Sequence, residues 1–175
     1  MPRLSMLVLA LLAIGAIATA QDATNSQESA EPTKATYLIT GLHCPPCTRT
    51  VESSLRGIEG IRSVKVDWRT KNARLEFDES VLPAQKVAHL IAGTSHMMGG
   101  NMRYAGWLAL SVPELRDDAT GKQVEEVLTK VKGVKRVVAY PLQHSVGISF
   151  NAEGELTSRE LIDALSAAGI KAENR

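Results

Sequence analysis

The sequence predicts an α+β protein in which a unit of strand, helix, strand, strand and helix occurs twice. Three observations support this prediction. The chain has 175 residues, 44% apolar and 22% charged, which is a globular balance. Its apolar residues recur at strand spacing and at helix spacing in turn. The segments VESSLRGIEGIRSV (51–64) and VEEVLTKVKGVKRV (124–137) match at an offset of 73 residues, which indicates an internal repeat.

The first unit begins with a short predicted strand over residues 37–40. A helix then starts near Cys47, with apolar residues spaced i, i+4 and i+7. Two strands follow, joined by a polar turn over residues 67–72, and their apolar residues alternate with polar ones. Pro83 begins a second amphipathic helix. The apolar positions of the first unit are Val51, Leu55, Ile58, Val64, Val66, Ala73, Leu75, Phe77, Val87, Leu90 and Ile91.

The second unit repeats this order from a predicted strand over residues 107–112. Its helices carry apolar faces at Val124, Leu128, Val131, Leu161, Ile162 and Leu165. Two helices packed on one antiparallel sheet make the split βαβ arrangement. Residues 93–106 stand where the first unit should have its last strand, but Gly99 and Gly100 argue against a regular strand there.

The N-terminal residues 1–20 read as an export signal. Arg3 precedes an unbroken apolar run of 13 residues, and Ala-Thr-Ala at 18–20 fits a cleavage site. The run is shorter than the roughly 20 residues of a transmembrane helix. We therefore expect a periplasmic or secreted protein with no stable membrane span after cleavage. An uncleaved anchor is the alternative.

The predicted domain organisation follows from these segments. It comprises a signal peptide (1–20), a flexible polar linker (21–35), a metal-binding domain (36–98), a linker (99–106) and a second domain without cysteines (107–175).

Charge and composition exclude several functions. Twenty Lys and Arg against 19 Asp and Glu leave a net charge of +1, and aromatics are 4%, which argues against a nucleic-acid partner. The sequence contains no nucleophile elbow, phosphate-binding glycine loop or His-Glu-x-x-His motif. We therefore predict that the protein is not an enzyme.

The two cysteines form the strongest candidate site. Cys44 and Cys47 lie between the first strand and the first helix, where the helix N-terminus favours thiolates. Two thiolates three residues apart can hold one soft ion such as copper(I), mercury(II) or zinc. Two sulfurs do not complete the tetrahedral set of structural zinc, so a two-coordinate soft ion fits better.

The Gly-x-x-Cys-x-x-Cys frame of Gly41, Cys44 and Cys47, followed by VESSLRGIEGIRSVKVD (51–67), resembles the heavy-metal-associated domain family. The resemblance covers residues 36–92. It implies ferredoxin-like βαββαβ domains, here two in tandem, with Cys44 and Cys47 as metal ligands. It also implies copper(I) as the first-choice cargo and a metal-transporting ATPase or a cuproprotein as a partner.

Departures from the family pattern occur in both units. Leu42 stands where the family usually has a methionine that packs in the core, so leucine should preserve burial. In the second unit Asp117 and Thr120 stand at the two cysteine positions, and neither is a soft ligand. The second unit is therefore predicted to be a degenerate copy.

Other readings of the Cys-Pro-Pro-Cys motif remain open. The motif also occurs in thioredoxin-like proteins, so an exported thiol–disulfide redox protein is an alternative. The repeat and the paired hairpins argue against that fold. A metal-free adaptor with two docking domains is a third possibility.

Five further residues are candidate soft ligands. His43 directly precedes the first cysteine and is otherwise an exposed loop residue. His96, Met97, Met98 and Met102 could form a soft-ion site, because thioethers bind copper(I). Packing of these methionines in an interdomain linker is the alternative.

Overall fold

Strands and helices alternate along residues 31–175, the part of the chain that the computed structural model describes. The strands are β1 (Thr33–Thr40), β2 (Ile61–Asp67), β3 (Asn72–Phe77), β4 (Ala105–Ser111), β5 (Val134–Tyr140), β6 (Ser145–Phe150) and β7 (Glu173–Asn174). The helices are α1 (Pro45–Leu55), α2 (Ala84–Gly93), α3 (Asp118–Thr129) and α4 (Ser158–Ala167). The predicted signal peptide and residues 21–30 of the predicted linker lie outside the described residues. None of the described helices is long and apolar enough to cross a membrane.

The strands form a single antiparallel sheet in the order β2-β3-β1-β4-β6-β5, with β7 paired to β4. The order β2-β3-β1-β4, with α1 and α2 in the connections, is a ferredoxin-like split βαβ sheet. The second half repeats it as β5-β6-β4, with α3 and α4. The predicted α+β, ferredoxin-like fold is therefore correct.

Strand β4 belongs to both halves. It pairs with β1 through residues 105–109 and with β6 through residues 108–111. It therefore supplies the last strand of the first half, which the sequence left unassigned, and the first strand of the second half. It begins at Ala105 rather than at residue 107, inside the predicted linker 99–106. The division into domains 36–98 and 107–175 stays a prediction about folding.

Equivalent backbone contacts recur in the two halves at the offset of 73 residues. Glu52 Oε1 accepts a hydrogen bond from the Val66 amide at 2.8 Å, and Glu125 Oε1 accepts one from the Ala139 amide at 2.9 Å. Matching irregularities interrupt the hairpin ladders, at Ile61/Ser63 and Val134/Arg136. Both halves thus attach their first helix to the sheet in the same way.

The first strand starts earlier than predicted. Thr33 lies opposite Phe77, and Ala35 is buried opposite Leu75. The prediction that the linker extends through residue 35 is therefore wrong for residues 33–35. The local sequence is polar enough to resemble a tether, but the pairing partner on β3 lies far along the chain.

Polar contacts join the two halves away from the sheet. The fully buried side chain of Gln85, on α2, reaches the segment between β6 and α4. Its Nε2 donates to the carbonyl oxygens of Asn151 and Glu153, each at 2.9 Å, and its Oε1 accepts from the Leu156 amide at 3.1 Å. Because a buried amide needs all these partners, Gln85 fixes the second half against the first.

Candidate metal centre

The two cysteines lie at the N-terminus of α1. Cys44 is the extended residue that precedes the helix, and its side chain makes no capping hydrogen bond. The Cys47 amide donates to the Cys44 carbonyl oxygen at 3.1 Å. Pro45 and Pro46 occupy the first two helical positions, where a missing amide hydrogen costs nothing. Both cysteines are free thiols.

The two thiols differ in exposure. Cys47 is 0% exposed and packs in the core, whereas Cys44 is partly exposed. Leu42, two residues before Cys44 in the loop between β1 and α1, is buried as its predicted packing role requires. A group that approaches the pair therefore meets Cys44 first, and Cys47 lies on the inner side.

The surroundings favour the charged form of the inner thiol. Burial raises the pKa of Cys47. Hydrogen bonds from the Cys44 and Tyr104 side chains and from the backbone of His43 and Cys44 outweigh this effect and lower the pKa to about 7. The hydrogen bond with Cys47 raises the pKa of Cys44 instead. One proton is thus shared by a pair of which Cys47 is the more acidic member.

Tyr104 is a residue of this site that sequence reasoning missed. It lies immediately before β4 and is buried, and its hydroxyl faces the Cys47 thiol in a looser contact than an ordinary hydrogen bond. Burial, then the contact with Cys47, raises the Tyr104 pKa to about 12. The hydroxyl therefore stays protonated and can donate toward the Cys47 thiolate. Its sequence position carried no signal, because only the β1–β4 pairing brings it to the cysteines.

A close backbone approach brings a second loop to the cysteines. Gly41 has φ of +88°, and a Cβ there would lie 2.5 Å from the Arg103 carbonyl oxygen. Position 41 therefore requires glycine, because any other residue would be strained at this positive φ and its Cβ would collide with the Arg103 carbonyl oxygen. The methionine loop, residues 95–103, is closed by an isolated bridge between Ser95 and Arg103. It packs directly on the start of the Gly-x-x-Cys-x-x-Cys segment.

His96 holds the methionine loop in place. Its Nε2 hydrogen-bonds the Gly41 carbonyl oxygen at 2.9 Å, and its Nδ1 accepts from the Met98 amide at 3.2 Å. The ring centroid lies 4.5 Å from that of Tyr104 and 6.2 Å from that of His43. Because both ring nitrogens of His96 make hydrogen bonds, the residue is a structural support beside the cysteines.

The other candidate ligands predicted from the sequence are His43 and the three methionines. His43 is exposed beside Cys44. Met97 and Met98 are 56% and 65% exposed, and Met102 is half-buried. Within residues 31–175, no group of three or more His, Cys, Asp or Glu is arranged to hold a metal ion.

The equivalent position in the second half is a helix cap. Asp117 precedes α3, and its Oδ1 accepts from the amide and the hydroxyl of Thr120, each at 2.8 Å. These hydrogen bonds lower the pKa of Asp117. The Asp117 carboxylate thus caps the Thr120 amide. The equivalent Cys47 amide in α1 donates instead to the Cys44 carbonyl oxygen. This junction offers only hard oxygen atoms, as the sequence predicts.

A ferredoxin-like sheet with paired thiols at its first strand–helix junction defines a class of small metal-binding domains. Residues 36–96 match the model of the heavy-metal-associated domain family, and this part of the chain is a heavy-metal-associated domain. The predicted resemblance is thereby confirmed for that segment.

Copper-transporting ATPases are among its sequence relatives. Copper-transporting ATPase RAN1 of Arabidopsis thaliana is 24% identical over 147 residues, which cover 80% of this chain and 14% of the ATPase. A probable copper-exporting P-type ATPase of Archaeoglobus fulgidus is 27% identical over 67 residues, which cover 38% of this chain and 8% of that protein. The chain therefore spans only a small part of the relatives it matches.

Solved structures with a similar arrangement include the water-soluble region of the P-type ATPase CopA from Bacillus subtilis. It is 18% identical, with a TM-score of 0.39, over 83% of this chain and 92% of that one. Oxidized MerP from Ralstonia metallidurans CH34 is 25% identical, with a TM-score of 0.34, over 37% of this chain and 89% of that one.

Proposed function

We propose that this is an exported protein that captures copper(I) through Cys44 and Cys47 and passes it on. The observation that carries the proposal is the pairing of two free thiols at the start of α1, one of which has a pKa of about 7. Near neutral pH such a pair offers one thiolate at little cost. The ion is cargo, and the protein performs no catalysis on it.

The difference in exposure supports transfer by ligand exchange. An incoming ion first meets the partly exposed Cys44 and then gains Cys47 as its inner ligand. Two thiolates and one copper(I) carry a net charge of −1, which the α1 N-terminus and the Tyr104 hydroxyl stabilise. A two-coordinate ion remains open to a third sulfur from a partner, and departure reverses these steps.

The choice of copper and of a partner rests on the relatives. Their names describe copper transport, and the bis-thiolate pair suits a soft ion. We infer that the recipient is a metal-transporting ATPase or a cuproprotein. Mercury(II) and zinc are competing cargoes, to be ranked in the same titration.

The proposed location rests on residues 1–20. A basic residue, an apolar run of 13 residues and a small-x-small motif support export to a periplasm or beyond. Detection of the mature protein outside the cytoplasm, with a new N-terminus at Gln21, would test this part. Retention of residues 1–20 would contradict it.

Anaerobic titration of the reduced protein with copper(I) and a competing chelator tests the binding function. We expect one tight equivalent, lost in both Cys44→Ser and Cys47→Ser. Thr120→Ser, at the equivalent junction of the second half, is the matched control and should bind normally. Undiminished tight binding by the double Cys→Ser variant would refute the proposal.

The lowered pKa of Cys47 also suits the second candidate, thiol–disulfide exchange. This function predicts rapid reduction of a disulfide substrate by the metal-free dithiol and regeneration of a Cys44–Cys47 disulfide. Tight copper(I) binding without such exchange would favour metal handling. Absence of both activities would favour the metal-free adaptor.

A further inference from the structure

We propose that the thioethers of Met97 and Met98 form a second binding site for copper(I), beside the cysteine pair. This inference takes its cargo from the proposed function. The site would hold the ion more weakly than the thiolates and would remain when the cysteines are oxidised.

Three contacts hold the methionine loop at the cysteines. Gly41 packs against the backbone of Arg103, and His96 hydrogen-bonds the Gly41 carbonyl oxygen. The His96 ring also packs against the ring of Tyr104, with their centroids 4.5 Å apart.

The orientation of the loop presents the thioethers to solvent. The Met98 amide donates to His96 Nδ1, which ties the backbone inward. Met97 and Met98 are nevertheless among the few large apolar side chains in the described part of the chain that are mostly exposed. Ordinary packing does not account for them, because a packing methionine would be buried as an apolar side chain.

Thioether chemistry matches the cargo. Sulfur in methionine is a soft, neutral ligand that suits copper(I) and binds hard ions poorly. Two neutral ligands leave the bound ion with its positive charge, whereas two thiolates more than neutralise it. The ion would therefore move from Met97 and Met98 to Cys44 and Cys47 with a gain in affinity.

Oxidation and pH separate the two sites. A Cys44–Cys47 disulfide cannot offer thiolates, and exported proteins meet oxidising conditions. Thioethers do not ionise, so copper(I) binding by Met97 and Met98 should show little dependence on pH. Binding by the cysteines should weaken as pH falls, because protons compete for the sulfurs.

The decisive experiment uses the full mature chain with Cys44→Ser and Cys47→Ser. Copper(I) affinity is measured anaerobically with a competing chelator, at neutral and mildly acidic pH. We expect one weak, pH-insensitive equivalent. Adding Met97→Leu and Met98→Leu removes both proposed ligands and should abolish this equivalent. Met102→Leu, on the same loop and half-buried, is the matched control and should retain the binding.

A second measurement does not depend on the methionine substitutions. Silver(I), a soft ion without redox change, is added to the cysteine-free chain while the methionine methyl resonances are followed. Shifts confined to Met97 and Met98 would support the site. Equal copper(I) uptake with and without Met97→Leu and Met98→Leu, or a methyl shift only at Met102, would overturn it. Failure of the cysteine site would appear separately, as loss of thiolate–copper(I) absorbance in the unsubstituted chain.

Discussion

The buried hydroxyl of Tyr104 faces the thiol of Cys47, and the contact moves their two pKa values apart. Burial raises the Cys47 pKa, but hydrogen bonds, first from Cys44 and then from Tyr104, lower it to about 7. Burial, and then the contact with Cys47, raises the Tyr104 pKa to about 12. The two residues meet because β1 and β4 pair side by side. The sheet thus supplies a proton donor to the inner ligand of the candidate metal centre.

Tyr104→Phe should raise the pKa of Cys47. A lost hydrogen bond to a thiolate corresponds to an upward shift of about one pH unit in the titration midpoint. Thiolate absorbance as a function of pH measures it. Tyr37→Phe removes another buried hydroxyl, one that donates to the Ala84 carbonyl oxygen at 3.0 Å, and serves as the control. An unchanged Cys47 midpoint in Tyr104→Phe would contradict the assigned contact.

Copper(I) affinity of the reduced protein should depend on pH in two regimes. Above about pH 7 Cys47 is already ionised, so binding displaces one proton from Cys44, whose pKa is raised. Apparent affinity then increases about tenfold per pH unit. Below about pH 7 two protons are displaced, and the slope becomes about hundredfold per pH unit. Chelator competition across pH measures it, and a single slope throughout would contradict the unequal pKa values.

Gly41→Ala should displace the methionine loop. The new methyl group would meet the Arg103 carbonyl oxygen, in addition to the strain of a positive φ. Gly57→Ala is a matched control, because Gly57 has the same φ of +88° but nothing within 4 Å of its Cβ position. We expect Gly41→Ala to lose about 1–3 kcal/mol more than the control in urea unfolding. Equal losses of stability in the two variants would mean that the methionine loop moves away from the new methyl group at no cost in free energy.

Gln85→Leu should destabilise the protein while keeping the volume of the side chain. It removes the partners of two carbonyl oxygens and one amide in the segment between β6 and α4. Leaving such groups unsatisfied costs about 2–4 kcal/mol in total. Urea unfolding measures it, with Lys86→Ala as the control, since the side chain of that residue makes an exposed ion pair with Glu155. Stability equal to that of the control would show that Gln85 does not fix the halves.

Asp117→Cys with Thr120→Cys should create a soft-ion site in the second half. The two positions sit at the start of α3 as Cys44 and Cys47 sit at the start of α1. Copper(I) titration in the Cys44→Ser, Cys47→Ser background measures the gain.

The matched control for this gain of function is Glu126→Cys with Thr129→Cys, a pair with the same spacing at the other end of α3. The negative end of the helix dipole disfavours thiolates there. If the Asp117→Cys, Thr120→Cys variant binds copper(I) no more tightly than this control, the helix N-terminus contributes nothing to the affinity.

Features encoded within one strand, turn and helix were predicted from the sequence. The Gly41-to-Cys47 segment, the amphipathic α1 and the hairpin of β2 and β3 depend on local spacing, so periodicity identified them. The repeat at 73 residues likewise needed only comparison of the chain with itself.

By itself, the sequence determined the ferredoxin-like class and the two candidate thiols, because their signals lie close together along the chain. Only the tertiary structure decided that β4 serves both halves and that the methionine loop lies against Gly41. It also decided that Tyr104 faces Cys47 and that Gln85 binds the β6–α4 segment. These contacts join residues far apart in the chain, and a buried polar group finds its partner only once the sheet has set the distance between them.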